Sequence, residues 1–356
     1  MGMDKFKIDN HKLIYHIPRI HDWLEGKDIY PIYIEVGVHS GCNHRCLFCA
    51  FDFLRYSADS LQLDCFRKFV DNAAEKGVKS ILLSGEGEPL LHQDITEVVS
   101  FAKGKGIDMA LATNGVMLTK DKLQKLLPNL TWLKVSLDAA DRKTYAHIHG
   151  TKKEDFDAVI VNLKEAVRIR NKNKYECTIG AQLLLISENY KEVLRFTKIM
   201  RDLGIDYAVI KPYSHHPSSQ NTVNFSLDYK KTIYLEKRLN KYSDNSFQVI
   251  FRRQAMEGVN TVKPYKNCYG LSFATHITAG GDVYPCNFFV GKKEFLFGNI
   301  YQESFSQIWE GSRRKNIRDK IRLQQDINKC RSSCRLDRIN RYLWELKNPN
   351  SHVNFI

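Results

Sequence analysis

Cys42, Cys46 and Cys49, in the segment "CNHRCLFC", set three thiols at intervals of four and three residues. Thiolates are soft ligands that select zinc, copper(I) or iron–sulfur clusters, and three are one too few to close a tetrahedral site. A zinc or a structural cluster can use such a run. In a [4Fe–4S] cube, three cysteines hold three irons and leave the fourth to a ligand from outside the chain. A second group, Cys268, Cys286, Cys330 and Cys334, has the four thiols that either a zinc ion or a fully ligated cluster accepts. Of the nine cysteines, Cys65 and Cys177 belong to neither group. They are the only thiols left to return a hydrogen atom to a substrate. Cys65, in "LQLDCFRKFV", is the candidate of the two, although a small apolar core role suits both. In "IKPYSHHPSSQN", Lys211 and Tyr213 suit substrate contacts, and His215 or His216 can take a hydroxyl proton near neutral pH.

Elements must carry these groups to one place. Short apolar or β-branched runs at 31–38, 80–85, 108–114, 132–139, 178–185 and 207–213 alternate with stretches of helical period such as "SLQLDCFRKFVDNAAEKG". That alternation predicts parallel βα units, with functional groups on the loops after the strand ends. Six units give an α/β fold, an open (β/α)6 partial barrel, and the three-thiol run follows its first strand. We expect an N-terminal extension (1–30), the partial barrel (31–213), a linker and helix (214–260) and a small C-terminal domain (261–356). In the last, "FATHITAGGDVYPC" reads as a β-hairpin, "SFSQIWEGSRRKNIRDKIRLQQ" as a basic helix and "KCRSSC" as a loop.

With CxxxCxxC placed after strand one, the sequence resembles the radical S-adenosylmethionine (SAM) superfamily. The resemblance implies a [4Fe–4S] cluster on Cys42, Cys46 and Cys49. Its open iron would chelate SAM, whose reductive cleavage yields a 5′-deoxyadenosyl radical that takes hydrogen from a substrate. Further segments carry the likeness. Phe48 stands where the family packs an aromatic near adenine. "SGEGEP" is similar to the family's GGEP loop, which puts Gly87, Glu88 and Pro89 at SAM, with Glu88 on its ammonium; Glu86 between the glycines departs from the simplest pattern. "ATNG" and "VSLDA" offer Thr113, Asn114, Ser136 and Asp138 to the ribose or the methionine carboxylate.

The C-terminal cysteines, with "FGNIYQESFSQIWEG" after the hairpin, resemble the SPASM and twitch extensions that bind auxiliary clusters. Only four cysteines are present, which implies one auxiliary [4Fe–4S] cluster; zinc stays open. Family members of this size include ones that oxidise aminocyclitols or sugars, so a small polyhydroxylated substrate (a sugar, nucleotide sugar or aminocyclitol), oxidised to a ketone or epimerised, is expected. Peptide modification is the alternative.

Composition sets the partners. Lys plus Arg is 54 against 40 Asp plus Glu, a net charge of +14, which favours an anionic small molecule and an acidic electron donor such as flavodoxin or ferredoxin. The basic residues are scattered and no nucleic-acid signature appears, so a zinc-dependent nucleic-acid-binding module is the remote reading. No run resembles a signal peptide or a membrane span, and a cytoplasmic protein with no membrane partner is expected.

Overall fold

The computed structural model describes residues 4–221, 227–259 and 261–355, so residues 222–226 and 260 of the expected linker and helix (214–260) lie outside the described chain. The six expected strands are present: β1 (Tyr33–Val36), β2 (Ser80–Leu83), β3 (Asp108–Thr113), β4 (Trp132–Ser136), β5 (Thr178–Leu185) and β6 (Tyr207–Pro212). They pair in parallel and in chain order.

Two features go beyond the sequence reading. A seventh parallel strand, β7 (Gln248–Phe251), pairs with β6 inside the stretch read as linker and helix, where the helix Tyr234–Leu239 is short. The hairpin of β8 (Ala274–Ile277) and β9 (Asp282–Tyr284) forms as expected, but β8 also pairs in parallel with β1, and β10 (Gly298–Asn299) pairs with β9. One ten-stranded sheet results, in the order β10-β9-β8-β1-β2-β3-β4-β5-β6-β7. The expected basic helix is two helices, Phe305–Glu310 and Ser312–Gln324, divided where Gly311 adopts extended backbone.

Side chains alternate across each strand, and the two faces differ in kind. Ile34, Val36, Ile81, Leu83, Met109 and Leu111 are buried against helices such as Leu63–Glu75, which turns Phe66, Phe69 and Val70 inward. Each large apolar side chain buried this way contributes roughly 2 kcal/mol. The opposite face carries Tyr33, Glu35, Lys134, Ser136, Gln182 and Lys211, and it lines a polar lumen. The N-terminal segment covers the lumen side of β6 and β7: Phe6 packs on Tyr207 with ring centroids 5.2 Å apart, and Asp9 pairs with Arg252 at 3.2 Å.

Candidate active site

Three neighbouring segments shape the thiol loop. Gly41 accepts from Glu88 N at 2.8 Å, and Arg45 N and Leu47 N donate to His149 O and Ile148 O at 2.9 and 2.8 Å, so the loop pairs with the end of the helix Arg142–His149. Gly87 is required by close approach: a Cβ there would stand 2.2 Å from Gly41 O and 2.4 Å from His39 O. Cys42, Cys46 and Cys49 are brought together. Burial, and then chiefly the nearby charges of the other thiols, raises Cys46 far above the ordinary thiol range; burial alone outweighs every other influence in pushing Cys42 up to about 11. A bound cation would relieve that cost.

Glu88 is a buried hub. One carboxylate oxygen accepts from Leu90 N at 3.0 Å and Thr113 Oγ1 at 2.5 Å, and the other from Asn114 N at 2.8 Å. Burial raises its pKa. An acceptor position remains on the second oxygen, and among the described residues no cation bonds to the group, so an ammonium fits it. Pro89 opens the turn that follows, Pro89–Leu91. Thr113 and Asn114 are taken up in positioning: Thr113 donates to Glu88, while Asn114 Nδ2 donates to Asn43 Oδ1 at 2.7 Å, tying β3 to the thiol loop.

Phe48 is buried with Ile148, Ile186 and Tyr213, beside Cys46 and Leu184, so the rim of the lumen and the thiol loop share one apolar cluster. Ser136 faces the lumen. Asp138 does not reach a ligand-facing position. It is fully buried with a left-handed backbone (φ 56°), and one oxygen accepts from Leu184 N at 2.5 Å; burial pushes it up to about 7.

The structure separates the remaining candidates. Lys211 and Tyr213 stand at the upper end of β6, and exposed His215 lies 3.2 Å from the Tyr213 hydroxyl. His216 is a tie: Nδ1 accepts from Ser218 N at 3.1 Å, Nε2 donates to Asn287 O at 3.3 Å, and the ring stacks on Phe53 at 4.9 Å. With both nitrogens engaged and its pKa pushed down to about 4 by burial first, it is no free base. Cys65 is not brought to the site. On the helix Leu63–Glu75 its thiol points 3.5 Å from Ile300 O, away from the lumen. Cys177 is buried in the layer between sheet and helices.

Two groups take roles that sequence reasoning did not assign them. His149 Nδ1 lies 3.2 Å from Cys46 Sγ, while its Nε2 donates to Leu137 O at 3.0 Å. Glu86, the departure from the simple glycine-loop pattern, accepts from Ala279 N at 3.2 Å and so ties the β2 loop to the C-terminal hairpin. Its position between two glycines was the available signal.

Cys268, Cys286, Cys330 and Cys334 converge. Burial first, and then chiefly neighbouring thiols, pushes Cys268 up to about 12 and Cys330 up to about 11. Asn340 Nδ2 donates to Cys268 Sγ at 3.3 Å and Leu336 N to Cys334 Sγ at 3.4 Å, the polar support that thiolate ligands need. Among the described residues, the one group of three ligand atoms within 4.8 Å of one another is His44, Cys46 and His149. Neither cysteine group is therefore as tight as a single tetrahedral ion demands, since bonds of about 2.3 Å set thiolates about 3.8 Å apart. Both donor sets fit a larger cluster.

Comparison with known proteins agrees. Residues 36–198 match the radical SAM superfamily, and residues 268–335 match SPASM, an iron–sulfur cluster-binding domain. An AdoMet-dependent heme synthase of Methanosarcina barkeri is 25% identical over 292 residues, 77% of this chain and 80% of that protein. A GTP 3′,8-cyclase of Aliarcobacter butzleri is 25% identical over 274 residues, 72% of this chain and 80% of that one. In fold, Streptococcus suis SuiB bound to S-adenosylmethionine superposes with a TM-score of 0.67 at 17% identity, over 89% of this chain and 75% of SuiB.

Proposed function

The chain is a radical SAM superfamily protein with a C-terminal SPASM domain, and from that premise we propose that it oxidises a hydroxyl-bearing carbon of a small polyhydroxylated molecule to a ketone. Its domains imply a [4Fe–4S] cluster with SAM and an auxiliary iron–sulfur cluster. When bound, these groups supply reductive cleavage of the sulfonium, hydrogen abstraction from carbon and one-electron capacity. Cys42, Cys46 and Cys49 would hold the first cluster, Glu88 the SAM ammonium, and Cys268, Cys286, Cys330 and Cys334 the second.

The chain's own residues do the rest. Gly87 lets the β2 loop press on the thiol loop, and Phe48 screens the rim with Tyr213. Ser136 faces inward for a SAM or substrate hydroxyl. His215, exposed and bonded to Tyr213, accepts the hydroxyl proton. Lysines near Cys330, Lys263 and Lys292, support docking of an acidic electron donor such as flavodoxin or ferredoxin, in the cytoplasm.

The observation that carries oxidation over epimerisation is the placement of the spare thiols. Cys65 faces Ile300 and Cys177 lies in the helix-side core, so neither stands ready to return hydrogen to an inverted carbon. The cyclase relative is named for a nucleotide, which supports a small molecule. No helix among the described residues is long and apolar enough to cross a membrane.

The test is anaerobic incubation of reconstituted protein with SAM, reductant and candidate polyols in deuterated water. We expect 5′-deoxyadenosine, absent in Cys46→Ala, and a ketone carrying no solvent deuterium. One deuterium at an inverted centre, or turnover of a peptide alone, overturns the oxidation reading.

A further inference from the structure

The lumen is more strongly cationic than its hydrogen bonding accounts for. Lys134 on β4 and Lys211 on β6 project into it, Arg252 and Arg335 are close enough to influence both amines, and Arg331 lies near Arg335. Most of these charges have partners. Arg335 is bound to Glu35, Arg252 pairs with Asp9, and Arg331 Nη2 donates to Ser214 O at 2.8 Å. Among the described residues, neither Lys134 nor Lys211 has a hydrogen bond or an ion pair; the nearest partner of Lys134 Nζ is the Trp132 ring, with its centroid 5.4 Å away.

Both lysines are partly exposed and stand on the sheet face that also carries Ser136 and Gln182, so solvent reaches the lumen they line. Burial and then the neighbouring cations hold both amines below the ordinary lysine range, Lys134 at about 8. Carboxylates do face them, but Glu35 is bound to Arg335 and Asp138 accepts from Leu184 N while burial pushes its carboxyl up to about 7, so the cations outnumber the carboxylates left to meet them and an entering anion can supply the difference.

We propose that Lys134 and Lys211 anchor an oxyanion of the substrate, a phosphate ester or a carboxylate, so that the molecule oxidised here is acidic. Position supports the assignment. Lys211 pairs in register with Leu184, which packs against Phe48 and Cys46, so an oxyanion on Lys211 lies directly beneath the thiol loop. The end of the lumen away from the thiol loop is closed by apolar groups: the Tyr207 ring fills the space beside Gly180, which is in register with Lys134, and Phe6 lies against it. A ligand is thus held by its charged end inside the lumen, and its neutral carbons face the mouth. The proposal rests on the reading of the lumen as the substrate chamber.

The experiment is calorimetric titration of the anaerobically reconstituted protein, without SAM, at constant chloride ionic strength. Inorganic phosphate and succinate are the two probes. Saturable binding of phosphate alone assigns a phosphate ester, and of succinate alone a carboxylate; either supports the proposal. Lys134→Met and Lys211→Met should each weaken binding at least tenfold, and the exposed control Lys237→Met should leave it unchanged. Because removing an unpaired buried charge relieves a cost, the two lumen variants should melt no lower than the parent, which separates lost binding from lost folding. Saturation by neither probe, or binding that both lumen variants retain, overturns the proposal. Formation of 5′-deoxyadenosine is measured separately: its absence in the parent defeats the radical SAM reading, whereas its persistence in Lys211→Met without product is expected here.

Discussion

Arg335, one residue beyond Cys334, donates to both carboxylate oxygens of Glu35 on β1, at 2.6 and 3.3 Å. The loop that carries two auxiliary thiols therefore reaches into the lumen and is fastened to the first strand of the barrel. Burial raises the Glu35 carboxyl, but Arg335 and His276 more than offset it, and the group stays below the usual carboxylate range.

Breaking this pair from its two ends should give unequal results. Glu35 is buried, with its side chain 9% exposed, whereas Arg335 is 47% exposed and keeps access to water. Arg335→Met strands a buried carboxylate and should cost about 2–3 kcal/mol, near the lower bound for a broken buried pair. Glu35→Gln leaves a hydrated guanidinium and should cost about 1 kcal/mol. Thermal melting of anaerobic protein checks the order, and the Glu35→Met/Arg335→Met double variant should recover part of the loss.

Acid should act against the fold through its buried neutral histidines. His276 is buried with neither ring nitrogen partnered, and burial brings it down to about 4 despite nearby Glu35; His216 is also near 4. A histidine held neutral in the fold but free to protonate when unfolded contributes stability that is complete above its ordinary value of 6.5. That stability is lost as the pH falls from there to about 4. At pH 5 each should have cost about 2 kcal/mol. The raised Asp138 and Glu86 carboxyls pull the other way over this range, so the check is the difference between proteins: between pH 6.5 and 4.5 the His276→Gln variant should lose less melting temperature than the parent.

Much of this arrangement was legible in the sequence because it is local. The three-thiol spacing, the glycine loop and six alternating runs are patterns within a few residues of one another, and each strand emerged within a few residues of its expected span. What escaped depends on partners distant in the chain. β7 is four residues, one residue short of the helix Arg253–Glu257, and its pairing with β6 is what makes it a strand. Nothing in "FATHITAGGDVYPC" announces that β8 will pair with β1, and nothing around Lys134 shows that Lys211 and Arg335 will face it. His216 looked like a base because its engagement by Ser218 and Asn287 is set by tertiary structure.

Gly87→Ala should act on the thiol loop specifically. The added methyl would meet backbone atoms of His39, Ser40 and Gly41, which cannot swing aside as a side chain does. The loop must shift, at a cost of roughly 1–3 kcal/mol. Reconstituted protein should lose iron and 5′-deoxyadenosine formation together, while the iron attributable to the C-terminal thiols remains.

The two cysteine groups should separate by their consequences. Both are enclosed and hard to ionise without a cation, so loading must displace protons and should fall off below neutral pH. Each holds about four iron atoms when filled as a [4Fe–4S] cluster. Cys268→Ala also leaves the Asn340 amide without its sulfur acceptor. That variant should bind about four fewer irons than the parent yet still cleave SAM, within a few-fold of the parent rate, while product formation stops. Cys46→Ala should lose a similar amount of iron and cleave none. Iron and sulfide analysis beside 5′-deoxyadenosine assays reads both outcomes, and zinc released from the parent but not from Cys268→Ala would replace the auxiliary cluster with a structural ion.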